Sequence, residues 1–223
     1  MCGRFTSLLS PELLAVIFEI FPPPAAVEPR YNIAPTQQAW VVRSGDDRNR
    51  LDRMKWGLIP SWAKDPKIGN SLINARSETV HEKPAFRHAI KSNRCIIPAS
   101  GFYEWEHIGD KKLPYYIRMA DNSLMAFAGI WEYWKDPGED SFLESFSILT
   151  TAANILLAPL HDRMPVILHP NDYGLWLNKD MREPEHLQHL YQPLPGNELT
   201  MYRVSSQMNS PQYDRPECIV PAE

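Results

Sequence analysis

The chain of 223 residues holds only three cysteines, Cys2, Cys95 and Cys218, odd in number and far apart. That excludes a disulfide framework and suits a reducing cytoplasm. It has no long apolar run: the stretch from Leu13 to Phe21 contains Glu19, follows Glu12 and runs into three prolines, so it is neither a signal segment nor a membrane span. Positive charge is not in surplus. With 23 Lys and Arg against 27 Asp and Glu the net charge is −4, which excludes a generally basic nucleic-acid binder and confines any such contact to a local cluster. The sequence has no C-x-x-C, no H-E-x-x-H, no phosphate loop and no dinucleotide fingerprint, so neither a metal nor a nucleotide cofactor is expected. Internal repeats and domain linkers are lacking as well. Residues 1–223 therefore read as a single domain, with roughly the last ten residues trailing as a tail.

What is present begins at the second residue. A small residue after the initiator methionine permits removal of Met1, and Cys2 would then carry a free α-amine and a thiol on adjacent carbons. Such a 1,2-aminothiol traps aldehydes. The amine, which ordinarily titrates at about 8, condenses to an imine, and the nearby thiol closes on the imine carbon to give a thiazolidine. On position alone, Cys2 also reads as an ordinary second residue of a frayed terminus. Cys95 and Cys218 each adjoin apolar residues and read as small core side chains.

Along the chain, Ser10 caps a helix with Pro11 at its first position and an apolar stripe of Leu13, Leu14, Ile17, Phe18 and Phe21. Strand-like runs follow at Ala39 to Arg43, Leu51 to Leu58, Arg94 to Ile97, Gly101 to His107 and Pro114 to Ala120. Further runs span Leu124 to Trp134, Ser145 to Thr151, Met164 to Leu168 and Leu199 to Ser205. Helical segments are expected at Pro84 to Lys91, Asn154 to Leu160, Pro170 to Leu177 and Glu183 to Leu190. Strands outnumber helices and hairpin-length turns join several, which predicts an α+β fold with a largely antiparallel, curved or barrel-like core flanked by short helices.

Three polar clusters carry chemistry. Asn74 and Arg76, two residues apart, share one face of an extended strand. There an amide can donate to an oxyanion or a sugar hydroxyl while a guanidinium forks onto a phosphate; a polar strand end with an ion pair explains them equally. Glu104, between Tyr103 and Trp105, becomes a proton donor if partly desolvated, although a half-exposed alternating strand gives the same pattern. His161, with Asp162 beside it, is placed for proton transfer near neutral pH or, more simply, caps a helix end. The other six histidines, including His81 and His107, sit among polar neighbours.

Seven segments, taken together and in order, resemble one family: Met1 to Phe5, Arg30 to Pro35, Lys55 to Trp62, Ile73 to Thr79, Arg94 to Trp105, Thr150 to Asn154 and His161 to Leu168. The chain is identified by them as a member of the SOS-response-associated peptidase (SRAP) family, of the short bacterial type. The resemblance implies recognition of abasic sites in single-stranded DNA and a covalent DNA–protein crosslink through the N-terminal cysteine, which shields the lesion; the peptidase of the name concerns Met1. It implies Cys2 as nucleophile, with Asn74, Glu104 and His161 completing the active site. A DNA-contacting set follows: Arg4, Arg76 and Arg163 for phosphates, Trp62, Trp105 and Pro35 to stack or wedge, with Asn32 and Thr150 from the matching segments. Trp56, Trp131, Trp134 and Trp176 are assigned to core packing. The partner is abasic single-stranded DNA, and the expected location is the cytoplasm, on the nucleoid. Two other readings stay open. An N-terminal-nucleophile amidohydrolase also exposes Cys-Gly, and a non-covalent single-strand binder would carry an incidental cysteine.

Overall fold

A computed structural model describes residues 2–136, 138 and 141–222. Its elements, in chain order, begin with β1 (Phe5–Ser7), α1 (Pro11–Phe18), β2 (Arg30–Ile33), β3 (Gln38–Ser44), β4 (Asn49–Trp56) and β5 (Asn74–Arg76). Next come α2 (Ala89–Ser92), β6 (Arg94–Ala99), β7 (Gly101–Ile108), β8 (Lys111–Met119) and β9 (Met125–Lys135). The chain closes with β10 (Phe142–Ala152), β11 (Arg163–Pro165), α3 (Tyr173–Leu177) and β12 (Leu199–Arg203).

Strands β10, β4, β3, β6 and β9 follow one another, and β9 pairs back onto β10, so they close a five-stranded barrel. Closure leaves no open edge within the ring. The long pairing of β9 with β10, from Lys135 opposite Phe142 to Gly129 opposite Ile148, is antiparallel, as are most others. Two pairings of β10, with β4 and with β5, are parallel. A second, antiparallel sheet has the order β12-β8-β7-β1-β2. The α+β architecture with a barrel-like, largely antiparallel core is thus the one the sequence predicts.

Alternation along the strands creates the two larger of the cores. Val41, Phe127, Phe146 and Ile148 pack with Phe5, Ile33 and Phe102 of the second sheet and with Cys2. Phe5 sits at the middle of that layer, edge-on to Trp56 at 5.1 Å and to Phe127 at 6.1 Å. Such pairs add about 0.5–1.5 kcal/mol beyond the area they bury. Val42, Ile96, Ala128 and Leu149, on the opposite strand faces, pack with Leu14 and Phe18 of α1 and Trp176 and Leu177 of α3.

Local chemistry explains most elements. Ser10 Oγ accepts the Leu13 N–H, Pro11 needs no partner at the first position, and Glu19 ends α1 in the left-handed region at φ 54°. The apolar stripe is narrower than its sequence pattern, because Leu13 and Phe21 are 45% and 69% exposed. The expected helix from Asn154 to Leu160 is instead a run of turns. Asn154 Oδ1 takes the Leu157 N–H, its Nδ2 is held by the Leu194 carbonyl, and Pro159 offers no N–H to continue. From Pro84 to Lys91 only the end, α2, is helical, and Pro184–Tyr191 winds as a 3₁₀ helix. The expected tail folds back: Cys218 is buried, and the Ala222 N–H donates to the Arg203 carbonyl at 2.8 Å. Strands β1 and β2 are too short for their periodicity to show in sequence.

Candidate active site

The N-terminal segment is a strand partner. Phe5 lies opposite Phe102 and Thr6 opposite Gly101, and the Tyr103 N–H donates to the Arg4 carbonyl at 3.0 Å. Carried on, this antiparallel register brings Gly3 opposite Glu104 of β7 and Cys2 one residue beyond, near enough for the Glu104 carboxylate to act on its thiol. From the other sheet, the parallel pairing of β5 with β10 sets Asn74 opposite Ile148, and Asn74 Nδ2 donates to the Cys2 carbonyl at 2.9 Å. Asn74 Oδ1 is buried with no partner among the described residues. His161 enters from the turn before β11.

Burial sets the electrostatics. Cys2 is fully buried, its Sγ donating weakly to the Arg4 carbonyl at 3.8 Å. Burial, and then the nearby Glu104 carboxylate, push its thiol well above the usual range. Glu104 is 3% exposed, and burial pushes its carboxyl up to about 7, against the opposing pull of the positive N-terminus and the Trp105 N–H. It can both give and take a proton near neutrality. Burial and then the positive N-terminus lower His161, so its ring is neutral near pH 7. His161 Nδ1 lies 3.0 Å from the Arg163 N–H and 2.7 Å from Asp162 Oδ1. One nitrogen cannot accept from an amide and donate to a carboxylate at once. Asp162 is largely exposed to solvent, so the amide contact prevails in the neutral ring and the proton resides on Nε2.

Glu104 and His161 meet at an open pocket of about 420 Å³, also lined by Trp105, His107, Lys112 and Asn209. Cys2 lies near Glu104 and is held by Asn74, and neither of the two lines the pocket wall. Sequence alone does not single out His107, Lys112 and Asn209. Their signal is weak: a histidine and a lysine facing each other across a hairpin, and an asparagine more than a hundred residues from Glu104.

The residues expected to contact DNA divide into two groups. Arg76, on β5, and Trp62, 56% exposed, reach solvent, Pro35 is half-buried, and Trp105 lines the pocket. The others are turned inward. Arg4 donates from Nη1 to Asn32 Oδ1 at 2.8 Å and the Met208 carbonyl at 3.1 Å, and from Nη2 to the Asn209 carbonyl at 3.1 Å. Asn32, fully buried, donates from Nδ2 to the carbonyls of Met208, Ser210 and Tyr213 at 2.8–3.0 Å. Arg163 forks onto Glu78 at 2.6 and 2.8 Å and donates to the Thr150 carbonyl at 2.6 Å; that pairing pulls the Glu78 carboxyl below its ordinary range. Thr150 is fully buried, its hydroxyl facing the Ala75 carbonyl. Trp56, Trp134 and Trp176 are buried and Trp131 partly so, as core assignment requires. His81 departs from its solvent-like sequence surroundings: both ring nitrogens are buried, and the ring stacks on Tyr191 at 5.9 Å. Among the described residues, no group of three or more His, Cys, Asp or Glu is placed to hold a metal ion, and no helix is long and apolar enough to cross a membrane.

Comparison with known proteins places the chain as a whole. The chain is 45% identical over 222 residues to the abasic site processing protein YoqW of Bacillus subtilis, covering 98% of this chain and 99% of that one. It is 31% identical to the abasic site processing protein YedK of Escherichia coli, covering 99% and 100% of the two chains. A crystal structure of a protein from Bacteroides thetaiotaomicron superposes with a TM-score of 0.87 at 28% identity, covering the whole of both chains. A family model described as SOS response associated peptidase (SRAP) matches residues 1–211. By sequence over nearly its whole length and by fold, the chain belongs to the SOS response associated peptidase family.

Proposed function

We propose that the protein recognises abasic sites in single-stranded DNA and, once Met1 is removed, captures them covalently through Cys2, shielding the lesion. The observation that carries this reading is the convergence of Cys2 with a buried carboxyl, Glu104, which lines a pocket that His161 shares. Relatives named as abasic site processing proteins support the same substrate. Unpaired cysteines fit action in the cytoplasm, on nucleoid DNA.

The chemistry balances without a cofactor. The Cys2 amine attacks the aldehyde carbon of the ring-opened deoxyribose, and a proton moves from nitrogen to oxygen to give a carbinolamine. Protonated Glu104 donates to the carbinolamine hydroxyl, water leaves, and an iminium forms. The Glu104 carboxylate then takes the thiol proton as sulfur bonds to the iminium carbon; the old amine nitrogen ends as the ring N–H. A buried, neutral thiol therefore needs no prior ionisation, only a base within reach at ring closure. His161, protonated on Nε2, donates to the oxygen as it gains and loses charge. Asn74 holds the Cys2 carbonyl, fixing the direction in which amine and thiol point. The one peptide bond this reading requires to be cut is Met1–Cys2. For the strand, Arg76 meets phosphate and Trp62, Trp105 and Pro35 meet bases, while Asn32, Thr150 and Arg163 act through the backbone they hold.

Intact mass spectrometry of untagged protein, with and without an oligonucleotide bearing one abasic site, tests the proposal. Loss of Met1 and a heat-stable adduct confined to the abasic strand are expected. Correctly processed protein that forms no adduct would overturn it; release of ammonia from glutamine would then indicate an amidohydrolase.

A further inference from the structure

Asn209 is exposed, yet its position is tightly specified. Its backbone carbonyl accepts from Arg4 Nη2 at 3.1 Å, and the carbonyl before it, Met208, accepts from both Arg4 and Asn32. Its side-chain oxygen accepts the Trp105 indole N–H at 2.7 Å. An amide is ordinarily free to turn its oxygen and nitrogen about, but the indole can only donate, so it fixes the oxygen inward. The NH₂ group is left as a donor on the pocket that Glu104 and His161 share. Lys112, exposed on β8 opposite His107, brings an ammonium to the same pocket. An amide donor and an ammonium on one pocket match an anionic oxygen.

We propose that Asn209 and Lys112 form the subsite that binds a backbone phosphate of the strand next to the lesion, with Arg4 and Asn32 as positioning residues that hold Asn209 there. This rests on the reading of the pocket as the abasic-site pocket. It gives two inward-turned members of the DNA-contacting set a concrete task. Their donors, already spent on the segment from Met208 to Tyr213, reach the strand through Asn209.

The test measures binding, not adduct, using a single strand with one tetrahydrofuran abasic analogue, which has no aldehyde. Asn209→Asp keeps the acceptor for Trp105 but turns the donor into an anion. It is expected to weaken binding about ten-fold or more, and to weaken it further than Asn209→Ala does. Lys112→Ala should weaken binding and reduce the slope of log K against log salt by about 0.7, whereas Lys112→Arg should keep both. Replacing the phosphates flanking the analogue with neutral methylphosphonates should weaken the native protein and largely erase the difference between it and both variants. Lys112 lies on the surface, so its variants read the subsite even if Asn209 changes disturb folding. Asn209→Asp binding as well as Asn209→Ala, an unchanged salt slope in Lys112→Ala, or full variant defects on the methylphosphonate strand would each overturn the subsite. Failure of the native protein to form an adduct on a true abasic strand would overturn the functional reading instead.

Discussion

Asn74 Nδ2 donates to the backbone carbonyl of Cys2 at 2.9 Å, across 72 residues of sequence. The bond ties the N-terminal segment, which leads into β1 of the second sheet, to β5, which pairs alongside β10 of the barrel. A terminus that would fray if left to itself is thereby held between two sheets, with its reactive residue fully buried. Orientation of that kind is what converts an amine and a thiol from a mixture of conformers into a single approach to a carbonyl.

Cys2→Ser should abolish the heat-stable adduct while leaving appreciable strand binding. The hydroxyl is the poorer nucleophile and does not give a stable ring, but the strand contacts proposed for Arg76, Trp62 and Trp105 are untouched. Denaturing gel electrophoresis after incubation with an abasic strand reads the first effect and fluorescence anisotropy the second. An adduct yield equal to that of the native protein would contradict the role of the thiol.

Glu104→Gln should slow adduct formation about a hundred-fold or more, the usual contribution of a positioned acid–base group. It should also change how stability depends on pH. In the folded protein Glu104 holds its proton up to about 7, whereas in the unfolded chain it loses it near its ordinary value of 4.5. Between those values the folded state binds more protons, so stability falls as pH rises through the window and levels off above it. The glutamine variant should lack this fall and gain about 3 kcal/mol relative to the native protein at pH 8. Thermal unfolding across pH 4 to 8, on the order of the window set by that shift, is the measurement. Parallel profiles for the two proteins would count against a desolvated carboxyl.

Arg76→Ala and Arg163→Ala should separate, although both arginines adjoin site residues in sequence. Losing exposed Arg76 should weaken binding of abasic and intact strands alike and lower the salt slope by about 0.7 with little change in unfolding. Losing Arg163 should cost about 2–3 kcal/mol of stability, because the Thr150 carbonyl and Glu78 lose their shared partner, with the salt slope unchanged. Arg163→Ala with a lowered slope and native stability would make it a phosphate ligand after all.

Asn32→Ala should loosen the segment from Ser206 to Tyr213, since one buried amide serves three of its carbonyls. About 2 kcal/mol of stability should be lost, and amide hydrogen exchange should quicken in that segment before it does in the barrel. Uniform exchange throughout the protein would mean that Asn32 supports the fold in general rather than this wall of the pocket.

The sequence by itself determined the class of fold and the family, and it singled out Cys2 as the candidate nucleophile. Hydrophobic alternation over long strands such as β9 and β10 is a local signal, turn residues mark hairpins locally, and an aminothiol depends on two adjacent atoms of one residue. The seven segments added Asn74, Glu104 and His161 as candidates, because motif identity survives without geometry. Only the tertiary structure decided how these groups behave. The carboxyl of Glu104 is pushed up to about 7 because the folded chain buries it, and burial is not written in its sequence neighbours. Arg4, Asn32, Thr150 and Arg163 look like strand ligands from their side-chain chemistry, but hydrogen bonding to distant carbonyls turns them inward. Asn209 was invisible until the chain closed, since its amide is oriented by an indole 104 residues away. Local signals specify elements and reactive atoms; desolvation and hydrogen-bond saturation depend on which surfaces meet, and that is settled only by packing.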